Sequence, residues 1–368
     1  MRDEGRGREK VLMSGNEAMA EAALRAGCKF YAGYPITPQN ELTAYMAKAM
    51  VRRGAFVQAE SELAAINMVF GASTTGTRAM TSSSSPGISL KQEGISYLAG
   101  SQLPAVIINV MRAGPGLGNI TSSQSDYFQA TRGGGHGDYF TPVFSPWTVD
   151  EAVRLVMLSF DIADYYRTPV LILADAIIGQ MMEPVRFPLK SEFEASLPVK
   201  SWALTGASRR APNVVNSLFI KEGVLQAHNE KLRRKWEQIK TEQQRYDQYK
   251  TEDAQYLIVS YGSQARIARE VVDVLREEGT QIGLFRPVSL WPFPEAGIQQ
   301  IASSVSDVFV VEQSLGQMVE DVRLNLPDKK IHFFGKAGGG IPRTKEIIEV
   351  IKKELNRYKP IAVVEEVE

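Results

Sequence analysis

At 368 residues the chain is longer than one core of ordinary size, so two domains are expected. Its 42 Lys and Arg balance 42 Asp and Glu, which removes net charge as an argument for nucleic acid or an anionic membrane. The single cysteine, Cys28, excludes an internal disulfide, and it excludes an iron–sulfur cluster held by this chain alone, because such clusters need about four thiolates.

In chain order, Met1 to Lys10 is charged and has no signal-peptide apolar core, which predicts a frayed N terminus on a cytoplasmic protein. Asn16 to Gly27 predicts a helix, with Asn16 as N-cap and Gly27 as the C-terminal stop. Lys29 to Tyr34 is an apolar strand, Asn40 to Arg53 a helix, Ala55 to Ala59 a strand and Ser61 to Ala72 a helix. Arg78 to Ser82 and Pro104 to Met111 are further strands, Val149 to Tyr166 a long helix and Pro169 to Ala174 the last strand of the series. Strands apolar throughout and alternating with helices predict a doubly wound parallel α/β sheet covered on both faces. No apolar run reaches the ~20 residues of a membrane-spanning helix.

Glu183 to Glu252 connects the two halves. Pro184, Pro188, Pro198 and Pro212 predict an extended crossing segment. From Val224 to Lys250, the spacing of Leu225, Leu232, Trp236, Ile239 and Tyr246 predicts one apolar helix face, packed on its own domain or on a partner. Tyr256 to Ser260, Gln281 to Phe285, Asp307 to Val311 and Ile331 to Phe334 read as strands of a smaller α/β domain. Its helices are expected at Gln264 to Glu278 and Arg343 to Tyr358, so the domains expected are 8–190, a linker at 191–253 and 254–358.

The chemistry-bearing residues cluster at predicted strand ends, where an open α/β sheet binds ligands. Thr37 lies in Tyr34-Pro35-Ile36-Thr37-Pro38, where two prolines restrict the backbone around one hydroxyl; an ordinary stiff turn has the same pattern. Glu62 opens a helix and precedes the apolar stretch Leu63 to Ala72. A carboxylate buried there must pair or take up a proton, which suits proton exchange with a ring nitrogen. Glu60 competes for this role. Arg112 precedes Ala113-Gly114-Pro115-Gly116-Leu117-Gly118, a turn that lets a ligand approach the backbone, and its forked donor suits a carboxylate. The alternative is a surface arginine at a glycine turn. Gly114 to Gly118 does not have the dinucleotide spacing, and no P-loop occurs. Ser82 to Ser85 with Pro86-Gly87 is a strand end that caps a helix or binds an anion, and Gly338 to Gly340 with Arg343 is similar. His136, within Gly133 to Gly137, is a loop histidine or a substrate contact. No metal is assigned to this chain, because His228 and His332 have no ligand-spaced neighbours.

Taken together, several motifs resemble the α subunit of the multi-subunit 2-oxoacid:ferredoxin oxidoreductases over nearly the whole chain. They are Gly15-Asn16-Glu17-Ala18, Tyr34 to Pro38, Glu60-Ser61-Glu62, Arg112 in its glycine turn, Phe285 to Pro292 and Val311 to Met318. Gln39-Asn40 departs from the usual serine after Thr-Pro. The resemblance implies the pyrimidine-binding domain of thiamine-diphosphate enzymes, plus a smaller domain like the transketolase C-terminal one. It implies thiamine diphosphate shared with a β subunit that holds the diphosphate, Mg2+ and a [4Fe–4S] cluster, with γ and ferredoxin-like δ subunits completing the assembly. Glu62, with Tyr34 and Pro35, would bind the pyrimidine, and Glu62 would promote deprotonation of the thiazolium carbon. Thr37, Ile36 and Arg112 would hold the 2-oxoacid. Carbon dioxide leaves, coenzyme A takes the acyl group and electrons pass to ferredoxin. Gln124 to Phe128 with Gly133 to Tyr139 resembles the branched-chain variant more than the 2-oxoglutarate one. Two alternatives stay open: a ferredoxin-independent thiamine-dependent transketolase or dehydrogenase component, and a non-catalytic interaction subunit.

Overall fold

The structure, a computed structural model, describes residues 10–356. The charged segment before Lys10 and the expected helix end at Tyr358, and with them the outer domain limits at 8 and 358, lie outside the described residues.

The first half runs β1 (Val11–Ser14), α1 (Gly15–Arg25), β2 (Phe30–Gly33), α2 (Asn40–Ala49), β3 (Ala55–Gln58), α3 (Glu62–Thr74), β4 (Ala79–Ser83) and α4 (Ser85–Gly100). It continues with β5 (Ala105–Met111), α5 (Tyr127–Thr131), β6 (Val143–Phe144), α6 (Val149–Tyr166), β7 (Pro169–Asp175), α7 (Ala176–Gln180) and β8 (Met182–Val185). Then come α8 (Val224–Glu242), β9 (Tyr246–Tyr249), β10 (Tyr256–Val259), α9 (Gly262–Glu277), β11 (Ile282–Pro287), β12 (Ser289–Trp291) and α10 (Glu295–Ile301). The chain ends on β13 (Asp307–Glu312), α11 (Met318–Asn325), β14 (Lys330–Gly335) and α12 (Thr344–Asn356).

The large sheet has the order β12-β6-β7-β5-β4-β2-β3 and is parallel except where β12 meets β6. Its centre is β5 and β7, whose residues are all buried, as expected of strands with helices on both faces. The smaller sheet, β14-β13-β10-β11-β9, is parallel except for β9. Among the described residues no helix is long and apolar enough to cross a membrane.

Three features differ from the local sequence pattern. The apolar stripe that suggested a helix to Lys250 leaves the helix at Gln243. Leu232, Trp236 and Ile239 are buried as expected, but Tyr246 lies in β9, antiparallel to β11, stacked on Phe285 at 5.2 Å. The spacing of Tyr246 is helical, but α8 is capped at Gln243 and pairing to a sheet edge takes the next residues into a strand. The smaller domain sends β12 into the large sheet, so the two cores interlock. Asn16 is not the cap of α1. Ser14 is, accepting from the Glu17 amide at 3.3 Å, while Asn16 is buried one position inside the helix.

Candidate active site

Strands β3, β2, β4 and β5 are neighbours and run parallel, so the segments leaving their carboxyl ends lie side by side. These segments carry Thr37 after β2, Glu62 after β3, Ser83 and Ser84 at the end of β4, and Arg112 after β5.

Glu62 is the first residue of α3. The Ser61 hydroxyl caps that helix by accepting from the Ala64 amide at 3.1 Å. Burial separates the two competing carboxylates: Glu62 is 6 % exposed, whereas Glu60 is exposed. The Glu62 carboxylate lies against the first turn of α4. A Cβ added at Gly87 would stand 2.5 Å from Glu62 Oε1 and 2.0 Å from Ser83 Oγ. The hydroxyls of Ser83 and Ser84 are buried without hydrogen-bond partners among the described residues. One turn along α4, the fully buried Lys91 donates from Nζ to the Glu62 carbonyl at 3.3 Å. Burial pushes the Lys91 ammonium down to about 8, and the Glu62 charge opposes that shift.

The Thr37 turn is held from beneath. Asn16 Nδ2 donates to the Pro38 carbonyl at 2.8 Å and to Glu41 at 2.9 Å. Buried Gln39 accepts from Ser82 at 2.6 Å and from Thr43 at 3.1 Å, and the Tyr31 hydroxyl joins both of those residues. Gln39, the departure noted above, therefore latches the turn to β4. Tyr34 and Pro35 are exposed at the rim, and Ile36 and Thr37 are half-buried. Arg112 is 7 % exposed and reaches back to this turn. Its Nη1 donates to the Thr37 carbonyl at 3.2 Å, its Nη2 donates to the Leu117 carbonyl at 3.1 Å, and its Nε is buried without a partner among the described residues. Thr37 and Arg112 are thus in contact, while no hydrogen bond joins Glu62 to either of them among the described residues.

Beside the glycine turn lies a cavity of about 450 Å³, lined by Ser85, Gly114, Gly116 and Asp126 from the large domain and by Leu315 and Gln317 from the smaller one. Asp126 accepts from Ser85 at 2.6 Å and from Asn109 at 2.9 Å, and burial pushes its carboxyl above the usual range. A polar seam closes the cavity between the domains. Gln124 and Gln313 exchange backbone and side-chain hydrogen bonds, and Gln317 bonds the Phe128 amide and the Ser125 carbonyl. Gly339 packs on Thr121, and Asn119 donates to the Gly338 carbonyl at 3.0 Å, so the Gly338 to Gly340 loop braces the Arg112 turn. His136 is exposed, edge-on to Tyr97 at 5.9 Å.

The sequence assigns no site role to Lys91 or Asp126, and it marks Asn16 and Gln39 without the contacts they make here. Lys91 did carry a signal: Ile88, Lys91, Ile95 and Leu98 follow helical spacing, which puts the lysine on the buried face. The other three depend on contacts 17 to 43 residues away, which local pattern does not carry.

Residues 21–248 match the profile of the family described as pyruvate flavodoxin/ferredoxin oxidoreductase, thiamine diphosphate-binding, and residues 254–347 match pyruvate:ferredoxin oxidoreductase core domain II. The ketoisovalerate oxidoreductase subunit VorB of Methanothermobacter thermautotrophicus is 45% identical over 344 residues, covering 93% of this chain and 97% of that protein. The 2-oxoglutarate synthase subunit KorA of the same organism is 36% identical over 378 residues, covering 95% of this chain and 100% of its own. The 2-oxoglutarate:ferredoxin oxidoreductase of Magnetococcus marinus, solved with 2-oxoglutarate, coenzyme A and succinyl-CoA bound, superposes with a TM-score of 0.85 at 25% identity. That match covers 94% of this chain, which spans 65% of the length of the other. A split-gene transketolase shares the fold at a TM-score of 0.58 and 15% identity, over 94% of this chain and 98% of that one. A half-buried crevice at the carboxyl edge of a thiamine-enzyme sheet, matched along nearly the whole chain by relatives of one kind, makes this protein a member of the pyruvate flavodoxin/ferredoxin oxidoreductase family and a subunit of a 2-oxoacid:ferredoxin oxidoreductase.

Proposed function

We propose that this chain supplies the pyrimidine side of a thiamine diphosphate site, and that Glu62 is its acid–base residue. The observation that carries this reading is the burial of Glu62, and not of Glu60, at the carboxyl edge of the sheet. Buried hydroxyls with unused hydrogen-bonding capacity at Ser83 and Ser84, and the unspent Nε donor of Arg112, fit a polar heterocycle and a small anionic substrate in the same crevice. Bound there, thiamine diphosphate supplies the nucleophilic carbon and the electron sink. Glu62 holds a proton at the pyrimidine nitrogen para to the amino group, and Tyr34 and Pro35 border the ring. Thr37 and Ile36 meet the 2-oxo group, and the Arg112 guanidinium orients the carboxylate while fixing the Thr37 turn.

The remaining parts belong to partner chains. A β subunit would hold the diphosphate, Mg2+ and a [4Fe–4S] cluster, and γ and ferredoxin-like δ subunits would complete the electron path to ferredoxin, with coenzyme A accepting the acyl group. The lone cysteine leaves the cluster ligands to those partners.

For the acyl side chain we read a neutral, branched group. The cavity beside the Arg112 turn is lined by the Asp126 carboxylate and by no basic side chain, which opposes a second substrate carboxylate. The higher identity to a ketoisovalerate oxidoreductase subunit than to a 2-oxoglutarate synthase subunit supports the same reading. The test is turnover of a panel of 2-oxoacids by the assembled complex with a viologen dye. Ketoisovalerate is expected to exceed 2-oxoglutarate in kcat/KM, and the reverse order removes the Asp126 cavity as the acyl pocket. In the same assay Glu62→Gln is expected to lose ~10²–10⁴ in turnover with the assembly intact, and full activity of that variant takes Glu62 out of the mechanism.

A further inference from the structure

Lys91 is a fully buried cation that the reading above leaves without a role. Gly87 and Lys91 are four residues apart on α4 and therefore share a face. That face meets Glu62 twice. Gly87 leaves room for the carboxylate, since a Cβ there would come to 2.5 Å of Oε1, and Lys91 Nζ donates to the Glu62 carbonyl at 3.3 Å. A lysine buried at this depth costs several kcal/mol unless a charge or acceptors compensate it, and apolar neighbours such as Ile88 and Ile95 supply none.

The elements packed most closely on α4 are α3, β5 and β7. They carry two ionisable side chains, Glu62 and Asp175. Asp175 is committed elsewhere, accepting from the Ser263 amide at 2.7 Å. On α4 itself, Glu93 accepts from Tyr97 at 2.7 Å on the exposed side. Nearby, Asp126 is held by Ser85 and Asn109, and Arg112 by the Thr37 and Leu117 carbonyls. Lys91 therefore meets Glu62 through that residue's backbone carbonyl, with no ion pair to its carboxylate among the described residues, and Glu62 is the one acidic residue of these elements not committed elsewhere.

We propose that Lys91 is a positioning residue for Glu62: its ammonium pins the first turn of α3 through the Glu62 carbonyl and, from there, favours the charged form of the same residue's carboxylate, setting the pH range in which Glu62 exchanges a proton. The catalytic part of this inference rests on the role proposed above for Glu62. The sign follows from the charges: removing the cation makes Glu62 harder to ionise, so its titration moves to higher pH.

Infrared titration of the carboxylate band in the full chain, assigned by difference against Glu62→Gln, reads this without turnover. Relative to wild type, Lys91→Met is expected to raise the midpoint, because a nearby cation favours the ionised carboxyl, and Lys91→Arg is expected to leave it near wild type. Lys91→Gln, which keeps a donor for the Glu62 carbonyl without the charge, should titrate like the methionine variant and serves where the latter does not fold. In the assembled complex the acid limb of kcat should move in the same direction. Equal midpoints in wild type and the two neutral variants would overturn the role of Lys91. Full turnover of Glu62→Gln overturns the role of Glu62 instead, so the two failures are distinguishable.

Discussion

Three buried side chains make claims that single experiments test. Arg112 has two jobs, holding the Thr37 and Leu117 carbonyls and presenting positive charge to the crevice. Arg112→Ala is expected to lower stability by about 1–3 kcal/mol through the lost charge-assisted bonds, read by urea unfolding, and to raise KM for the 2-oxoacid. Arg112→Lys keeps the charge but not the fork, so it should recover part of the KM and less of the stability. Lys91 gives a signed pH dependence. Its folded value, about 8, lies below its ordinary 10.5, so the unfolded chain binds the extra proton between these values and stability rises with pH across that window. The stability of wild type relative to Lys91→Met should therefore increase from about pH 8 to about pH 10.5, and a flat difference would contradict the burial of a titrating ammonium. Cys28, buried just ahead of the amino end of β2, has its thiol pushed up to about 12 by burial and is expected to react with thiol reagents only on unfolding.

At the scale of elements, the packing of α4 on α3 places the carboxylate. Gly87 and Gly94 both lie on α4 and both face α3, but they meet different atoms. A Cβ at position 87 would meet Ser83 Oγ at 2.0 Å and Glu62 Oε1 at 2.5 Å, whereas one at position 94 would meet only the Ile66 side chain, at 2.5 Å. Gly87→Ala is therefore expected to displace Glu62 and to lose turnover out of proportion to stability. Gly94→Ala should cost stability, about 1–3 kcal/mol for overpacking, while the remaining folded complex keeps its turnover. Comparing thermal unfolding with kcat for the two variants separates the effects. Equal loss of turnover in both would mean that the whole α3–α4 interface, and not the Glu62 contact, limits the reaction.

For the whole molecule, the domains are joined by buried polar contacts as well as apolar ones. Arg286, 1 % exposed, makes a bidentate pair with Glu151 at 2.9 and 2.7 Å, bonds Asp247 and lies 4.6 Å from the Trp147 ring. Glu151 also accepts from the Trp147 amide at 2.9 Å, so one carboxylate ties α6 of the large domain to β11 of the smaller one. Breaking such a buried pair costs about 3–5 kcal/mol, because the partner charge is left unpaired. Glu151→Ala is expected to show that loss in urea unfolding, and Arg286→Met combined with Glu151→Gln should recover much of it. If the double variant is no more stable than the single one, the pair contributes more than mutual neutralisation.

The parallel series of strands and the helices between them are legible in the amino acids alone, because apolar strands and capped amphipathic helices are local patterns written in neighbouring residues. So is the placement of Thr37, Glu62 and Arg112 at adjacent strand ends, since a right-handed α/β winding leaves little choice of edge. Long-range packing settles which of Glu60 and Glu62 is buried, that Tyr246 pairs in a sheet instead of extending α8, and that β12 crosses into the large sheet. Lys91 under Glu62, Asn16 and Gln39 under the Thr37 turn, and Asp126 in the cavity wall belong to the same class. Each depends on which distant segment fills the adjacent space, and burial and charge pairing are properties of that packing, not of any stretch of the chain taken alone.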